Sequence, residues 1–286
     1  MASLAADNPA MSGMFNGIRT FFHTPIAVKA KVALAGALTV PLVAGAAMAG
    51  PQVGSCISTA LHQEHVFEGT LPAYKTLDPS VKLQALRAGE GKTLALLPIQ
   101  DKSGVMHEPV SIRVRGSLAD LEKSLTAEGW TKAESGTVGA DIRTYLSLLN
   151  GITGRHIPWK ESNSPMTVMA VKSKTMVAGY EKNNDFHLGR DHLRIFDLGV
   201  NAQGLQEWGM ATTRDVAVVV RLKPFGSSHR IDPNIDGERD DVIHDIVKSG
   251  HGKIIDAAKG VAAPDYAPLV ERQFKSDGLE YELAVD

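Results

Sequence analysis

The sequence predicts an α+β fold: a mostly antiparallel sheet with packed helices, in a single domain. Three observations predict it. Short apolar runs with a period of two are spread along the chain, as in Val110, Ile112 and Val114. Helical patterns with caps interrupt them, but without the strict alternation that parallel βαβ units require. Composition is that of an ordinary globular protein, with 43% hydrophobic and 22% charged residues in 286.

Taken in order, the first feature is an uncharged tract, Val32–Ala49, preceded by Arg19, Lys29 and Lys31 and ending Ala47-Met48-Ala49. That is the order of a secretory signal, with small residues where a signal peptidase cuts. Eighteen uncharged residues also match the thickness of a bilayer, so an uncleaved anchor is the rival reading. A lipid on Cys56, the single cysteine, is a third. The chain divides accordingly into a signal or membrane anchor (1–49), an arm or linker (50–91) and an α+β domain (92–286, core 108–250). The protein is expected to be exported, to the periplasm or beyond, or held on the inner membrane.

Within the domain, Lys92–Ile99 is an apolar β-like run, and Val110–Val114 presents one apolar face. Ser117 and Asp120 form a capping-box-like start, Leu118, Leu121 and Leu125 a helical stripe, and Gly129 a stop, with Trp130 as a core anchor. Asp141–Leu149 is a second helix candidate. Strands are expected at Thr167–Val171, Met176–Tyr180, Leu193–Phe196, Leu205–Thr213 and Val216–Leu222, with a turn at Gly199–Gly204. A last helix runs from about Pro233 to Lys248, capped by Asp232 and followed by Gly250, and Glu280–Val285 reads as a closing edge strand.

Charge and motifs exclude several functions. With a net charge of −2 and no basic stripe, the chain lacks the electrostatic footprint of nucleic-acid binding. One cysteine rules out an internal disulfide framework and a four-cysteine zinc site. Neither a Gly-x-Ser-x-Gly elbow nor a P-loop occurs.

What stands out is a polar constellation. Arg190, His192 and Arg194 alternate on one strand, and Thr213 and Asp215 share a face on another. His229, Asp232, Asp236, Glu238, Arg239, Asp240 and Asp241 crowd a helix start. A helix dipole accounts for much of that acidity. Arg239 falls within the apolar stripe of Ile235, Val242, Ile243, Ile246 and Val247, so it needs a carboxylate, for which Asp215 is the candidate. The structural reading is therefore an ionic cluster of Arg190, Arg194, Asp215, Asp236, Glu238, Arg239 and Asp240.

Three functional readings stand beside it. His192, His229, Asp232 and Asp236 are candidate ligands of a divalent metal, with His192, His229 and Asp232 the candidate catalytic groups. Arg190, Arg194 and Arg214 have the planar forks that hold phosphate. Asp232-x-Asn234-x-Asp236-Gly237 matches the opening of a calcium loop, but its twelfth position is Ile243, where a glutamate is required. An envelope module that docks on a membrane protein or a lipid needs none of this chemistry.

Four segments resemble the LssY C-terminal family and follow one another in its order: EPVSIRVRGSLADLEKSLTAEGW, the stretch from Pro165 to RDHLRIFDL, EWGMATTRDVAV, and SSHRIDPNIDGERDDVIHDIV. They span Glu108 to about Gly250, roughly half the chain. The resemblance implies an envelope address, since the family occurs alone or appended to membrane-spanning domains, some of phosphatase type. It does not imply a reaction. The family commonly carries two adjacent histidines where this chain has Asp191-His192, which weakens a histidine-based metal site, and a larger residue where Gly237 stands.

Overall fold

The computed structural model describes residues 64–134, 166, 168–185, 188–222, 225–262 and 274–286. The signal or anchor tract, Cys56 and the helix expected at Asp141–Leu149 lie outside them. The architecture is mostly sheet, in two layers of strands with helices on one side. The main sheet contains β1 (Glu64–Glu68), β2 (Thr93–Ala95), β5 (Ile112–Arg115), β6 (Thr131–Lys132), β9 (Ala178–Asp185), β10 (Gly189–Val200), β11 (Gln206–Leu222), β12 (Phe225–Ile231), β13 (Gly252–Val261) and β14 (Leu279–Val285). Its order is β2-β13-β14-β5-β11-β10-β9-β6, with β1 and β12 both on the far half of β11. Pairing is antiparallel except β13 with β2 and β14 with β5. A small second sheet, β4-β3-β7-β8, is made of β3 (Pro98–Gln100), β4 (Met106–Pro109), β7 (Ala170–Val171) and β8 (Lys174–Thr175).

The helices are α1 (Pro79–Ala88), α2 (Leu118–Ala127) and α3 (Ile235–Lys248). In α2 the Ser117 hydroxyl caps the Asp120 amide, and Leu121 and Leu125 are wholly buried. Each such side chain contributes about 1.5–3 kcal/mol. They join Val242, Ile243 and Ile246 of α3 against Ile112, Val114, Leu193, Ile195, Met210, Tyr281 and Leu283. On the opposite face, Phe196 and Ala211 pack with Ile99, Val110, Met169 and Val171. The central strands β10 and β11 are therefore covered on both sides.

Several expectations change. Residues 64–91 are more than an arm: β1 extends the sheet beside β11, and α1 packs on β13. The run at Lys92–Ile99 splits between the two sheets. Val110 lies in a different core from Ile112 and Val114, because the chain crosses from one sheet to the other there. The strands expected at 205–213 and 216–222 are one strand of 17 residues, and Leu193–Phe196 is the middle of a strand of 12. Polar residues inside these strands hide their continuity. β14 is not an edge: it lies between β13 and β5. Finally, α3 is capped by Asn234, whose side chain accepts from the Gly237 amide. Asp232 is drawn off by the Tyr74 hydroxyl at 2.9 Å.

Candidate functional site

The site follows from one register. Strands β10 and β11 pair Arg190 with Asp215, Asp191 with Arg214, His192 with Thr213 and Arg194 with Ala211. Side chains alternate along each strand. Arg190, His192, Arg194, Thr213 and Asp215 thus occupy one face, and Asp191 and Arg214 the other.

On the first face, Asp215 is the hub. Arg190 Nε donates to its Oδ2 at 3.0 Å, His192 Nε2 lies 3.2 Å from its Oδ1, and His229 Nδ1 lies 3.2 Å from its Oδ2. Burial opposes the charge on Asp215, but His192, His229 and Arg190 together hold its carboxyl well below the usual carboxylate range. Arg190 also donates to Glu181 at 3.2 Å, and Arg194 to Glu108 at 2.8 Å. The Thr213 hydroxyl is 3.0 Å from His192 Nε2. His229, on β12, forms the rim, with 36% of its side chain exposed. Desolvation lowers its pKa; Asp215 pulls the other way, while Arg190 and His192 push it down further. With Nδ1 directed to Asp215, the ring is oriented by the carboxylate while part of it reaches solvent.

On the opposite face, Arg214 is the hub. Its Nε donates to Asp191, its Nη2 to Asp241 at 3.2 Å and its Nη1 to the Pro72 carbonyl at 2.8 Å. Glu238 Oε2 stands 3.3 Å from Nε, and the Tyr74 ring stacks with its centroid 3.7 Å from the guanidinium carbon. Tyr74 also explains Gly237: a Cβ there would come within 2.8 Å of the ring. Glu238 is 0% exposed, and neither of its carboxylate oxygens has a hydrogen-bond donor. Burial, then the charge of Asp191, raises its pKa well above the glutamate norm, against the pull of Arg214. Asp191, Glu238 and Asp241 each offer an oxygen within 4.8 Å of the others, the one such group of potential metal ligands among the described residues. Beside them, Asp245 accepts from Lys75 and Lys182, both at 2.6 Å, and from the Trp130 indole at 2.9 Å.

The residues singled out from sequence are thus divided. His192 and His229 meet at Asp215, but Asp232 binds Tyr74, and Asp236 binds Arg239, the Ser276 hydroxyl and the Asp277 amide. The four expected metal ligands do not converge. Segment 232–237 enters a helix and does not wrap a cation as a calcium loop does. Arg239 is fully buried and charge-paired, but by Asp240 (2.9 Å), Asp277 (2.8 Å) and Asp236 (3.0 Å), not by Asp215. It also lies against the Tyr281 ring. Arg239 lies on α3, over the face that carries Arg214, and donates to the Leu279 carbonyl of β14, whereas Asp215 points to the other face. Asp240 also pairs with Lys82 of α1.

Glu238 and Asp241 belong to the constellation read from sequence, but their meeting with Asp191 does not, nor do Glu108 and Glu181 as partners of the arginines. A signal for the first existed. Arg-Asp on β10 and Arg-Asp on β11, run antiparallel, place each arginine opposite the other strand's aspartate.

A family model described as LssY C-terminus matches residues 92–280, well over half of the chain. No curated protein and no solved structure matches. The match begins before β2 and runs into β14, so it takes in both faces of the β10–β11 pair, and on it the chain belongs to the LssY C-terminus family.

Proposed function

We propose that the protein is a single-domain accessory module of the bacterial cell envelope, exported or membrane-tethered by residues 1–49, which binds a membrane protein or lipid. One observation carries this reading. Among the described residues, the four buried arginines, Arg190, Arg194, Arg214 and Arg239, are all paired with the chain's own carboxylates. Charges committed in this way stiffen a scaffold and leave recognition to the surface. The uncharged tract ending Ala47-Met48-Ala49 supports the address. Among the described residues no helix is long and apolar enough to cross a membrane, so a tether would come from that tract.

The test is fractionation of cells expressing the full chain, with N-terminal sequencing. Recovery from the envelope starting at Gly50 supports a cleaved signal, and recovery there with the N-terminus intact supports an anchor. Recovery from the cytosol with the N-terminus intact overturns the reading.

A second reading is a hydrolase acting on a phosphate-containing, lipid-type substrate. The rim position of His229, oriented by Asp215, favours it. If it holds, the full chain releases phosphate from phosphatidic-acid vesicles, and His229→Ala abolishes release at an unchanged melting temperature.

A further inference from the structure

We propose that Asp191, Glu238 and Asp241 bind a divalent cation of the hard, oxygen-seeking class, such as Mg²⁺, Mn²⁺ or Ca²⁺, as a structural ion between β10 and α3. This site shares no ligand with the His192–Asp215–His229 cluster, so it does not depend on the hydrolase reading.

Three features lead to it. First, the donor atoms lie within 4.8 Å of one another, and all three residues are buried. Second, Glu238 is completely enclosed, and neither carboxylate oxygen accepts a hydrogen bond. Oδ1 of Asp241 also accepts none, with Lys75 Nζ standing 3.5 Å away. Buried carboxylate oxygens without donors are costly and rare, and their lone pairs suit a metal. Third, the charges around them do not balance. Asp191, Glu238, Asp241 and Asp245 face three permanent cations, Arg214, Lys75 and Lys182, with the His244 ring 3.7 Å from Asp245. The surplus negative charge falls where Glu238 has least help.

An all-oxygen, carboxylate-rich donor set selects hard cations over zinc or copper. Two ligands lie three residues apart on α3, on adjacent turns of one helix face, and the third is on the strand that the face covers. A cation there would tie α3 to the sheet beside Arg214. The competing solution is a single proton on Glu238. The two differ in what a neutral isostere does: glutamine replaces a protonated glutamate but withholds the negative charge that a carboxylate ligand supplies.

The experiment uses the full chain, stripped with chelator and titrated with Mn²⁺ alone. Free Mn²⁺ is read by electron paramagnetic resonance and melting by fluorimetry; Mg²⁺ and Ca²⁺ are then added as competitors. We expect one Mn²⁺ per chain and a melting temperature raised by about 5–10 °C at saturation. Glu238→Gln should weaken binding at least about tenfold, whereas His229→Ala should leave it unchanged. Should Glu238→Gln fail to fold, Asp241→Asn stands in for it. Mn²⁺ that stays free with the wild-type chain, together with a Glu238→Gln variant melting at or above the wild type, overturns the proposal in favour of the proton.

Discussion

The two faces of the β10–β11 pair use the same residue types to opposite effect. On the face toward α3, Arg214 is outnumbered by Asp191, Glu238 and Asp241 and sealed under Tyr74. On the face toward the second sheet, Asp215 is surrounded by Arg190, His192 and His229, and the last of these opens to water. One side has a surplus of carboxylates and no exit; the other gathers an arginine and two histidines on one carboxylate and has an exit. A shift of one residue along a strand separates an enclosed acidic knot from a cluster that reaches solvent.

Removing the hub of each face is the sharpest comparison. Arg214→Ala leaves Asp191 and Glu238 without their cation and Asp241 with Lys75 alone, and should cost roughly 3–5 kcal/mol by chemical denaturation. Arg190→Ala leaves Asp215 in contact with His192 and His229, so the loss should be nearer about 2 kcal/mol. Equal losses would show that the faces are electrostatically alike.

A carboxylate outside both hubs gives a reference in which burial outweighs an ion pair. Glu280 on β14 pairs with Arg113, yet burial pushes its pKa up to about 7, Arg113 notwithstanding. The folded state then holds a proton that the unfolded chain releases near pH 4.5. Stability from this group is full below that value and falls as pH rises toward 7, by roughly 3 kcal/mol. Glu280→Gln should flatten this slope in denaturation curves taken from pH 4.5 to 7.5; an unaltered slope would count against it. The smallest effect should come from His229→Ala, within about 1 kcal/mol in thermal melts, because its ring is partly solvated and Arg190 and His192 remain on Asp215. A larger loss would make the exposed rim part of the scaffold.

Much of this was legible in the sequence. The cap at Ser117, the buried stripe of α2, the α3 helix and the shared face of His192 and Arg194 are all local patterns, with periods of 3.6 or two that need no tertiary information. That Arg239 must be buried and paired also follows from its place in an apolar stripe, but its partner does not. Asp277 lies 38 residues away on a loop before β14, and nothing local brings it near. The same limit hid the acidic knot. Asp191 and Asp241 are 50 positions apart in sequence and meet only because α3 folds back over β10. It also hid the role of residues 64–91, where Tyr74 and Lys75 reach the site from a stretch without periodicity.

The place of β14 has a consequence for assembly. Residues 279–285 fill the gap between β13 and β5, so until they arrive both neighbours present open backbone to any passing strand. The main sheet joins pieces from residue 64 to residue 285 and cannot close progressively as the polypeptide emerges. Clipping these seven residues should leave a sticky, chaperone-dependent intermediate, whereas trimming an outlying strand such as β6 should not.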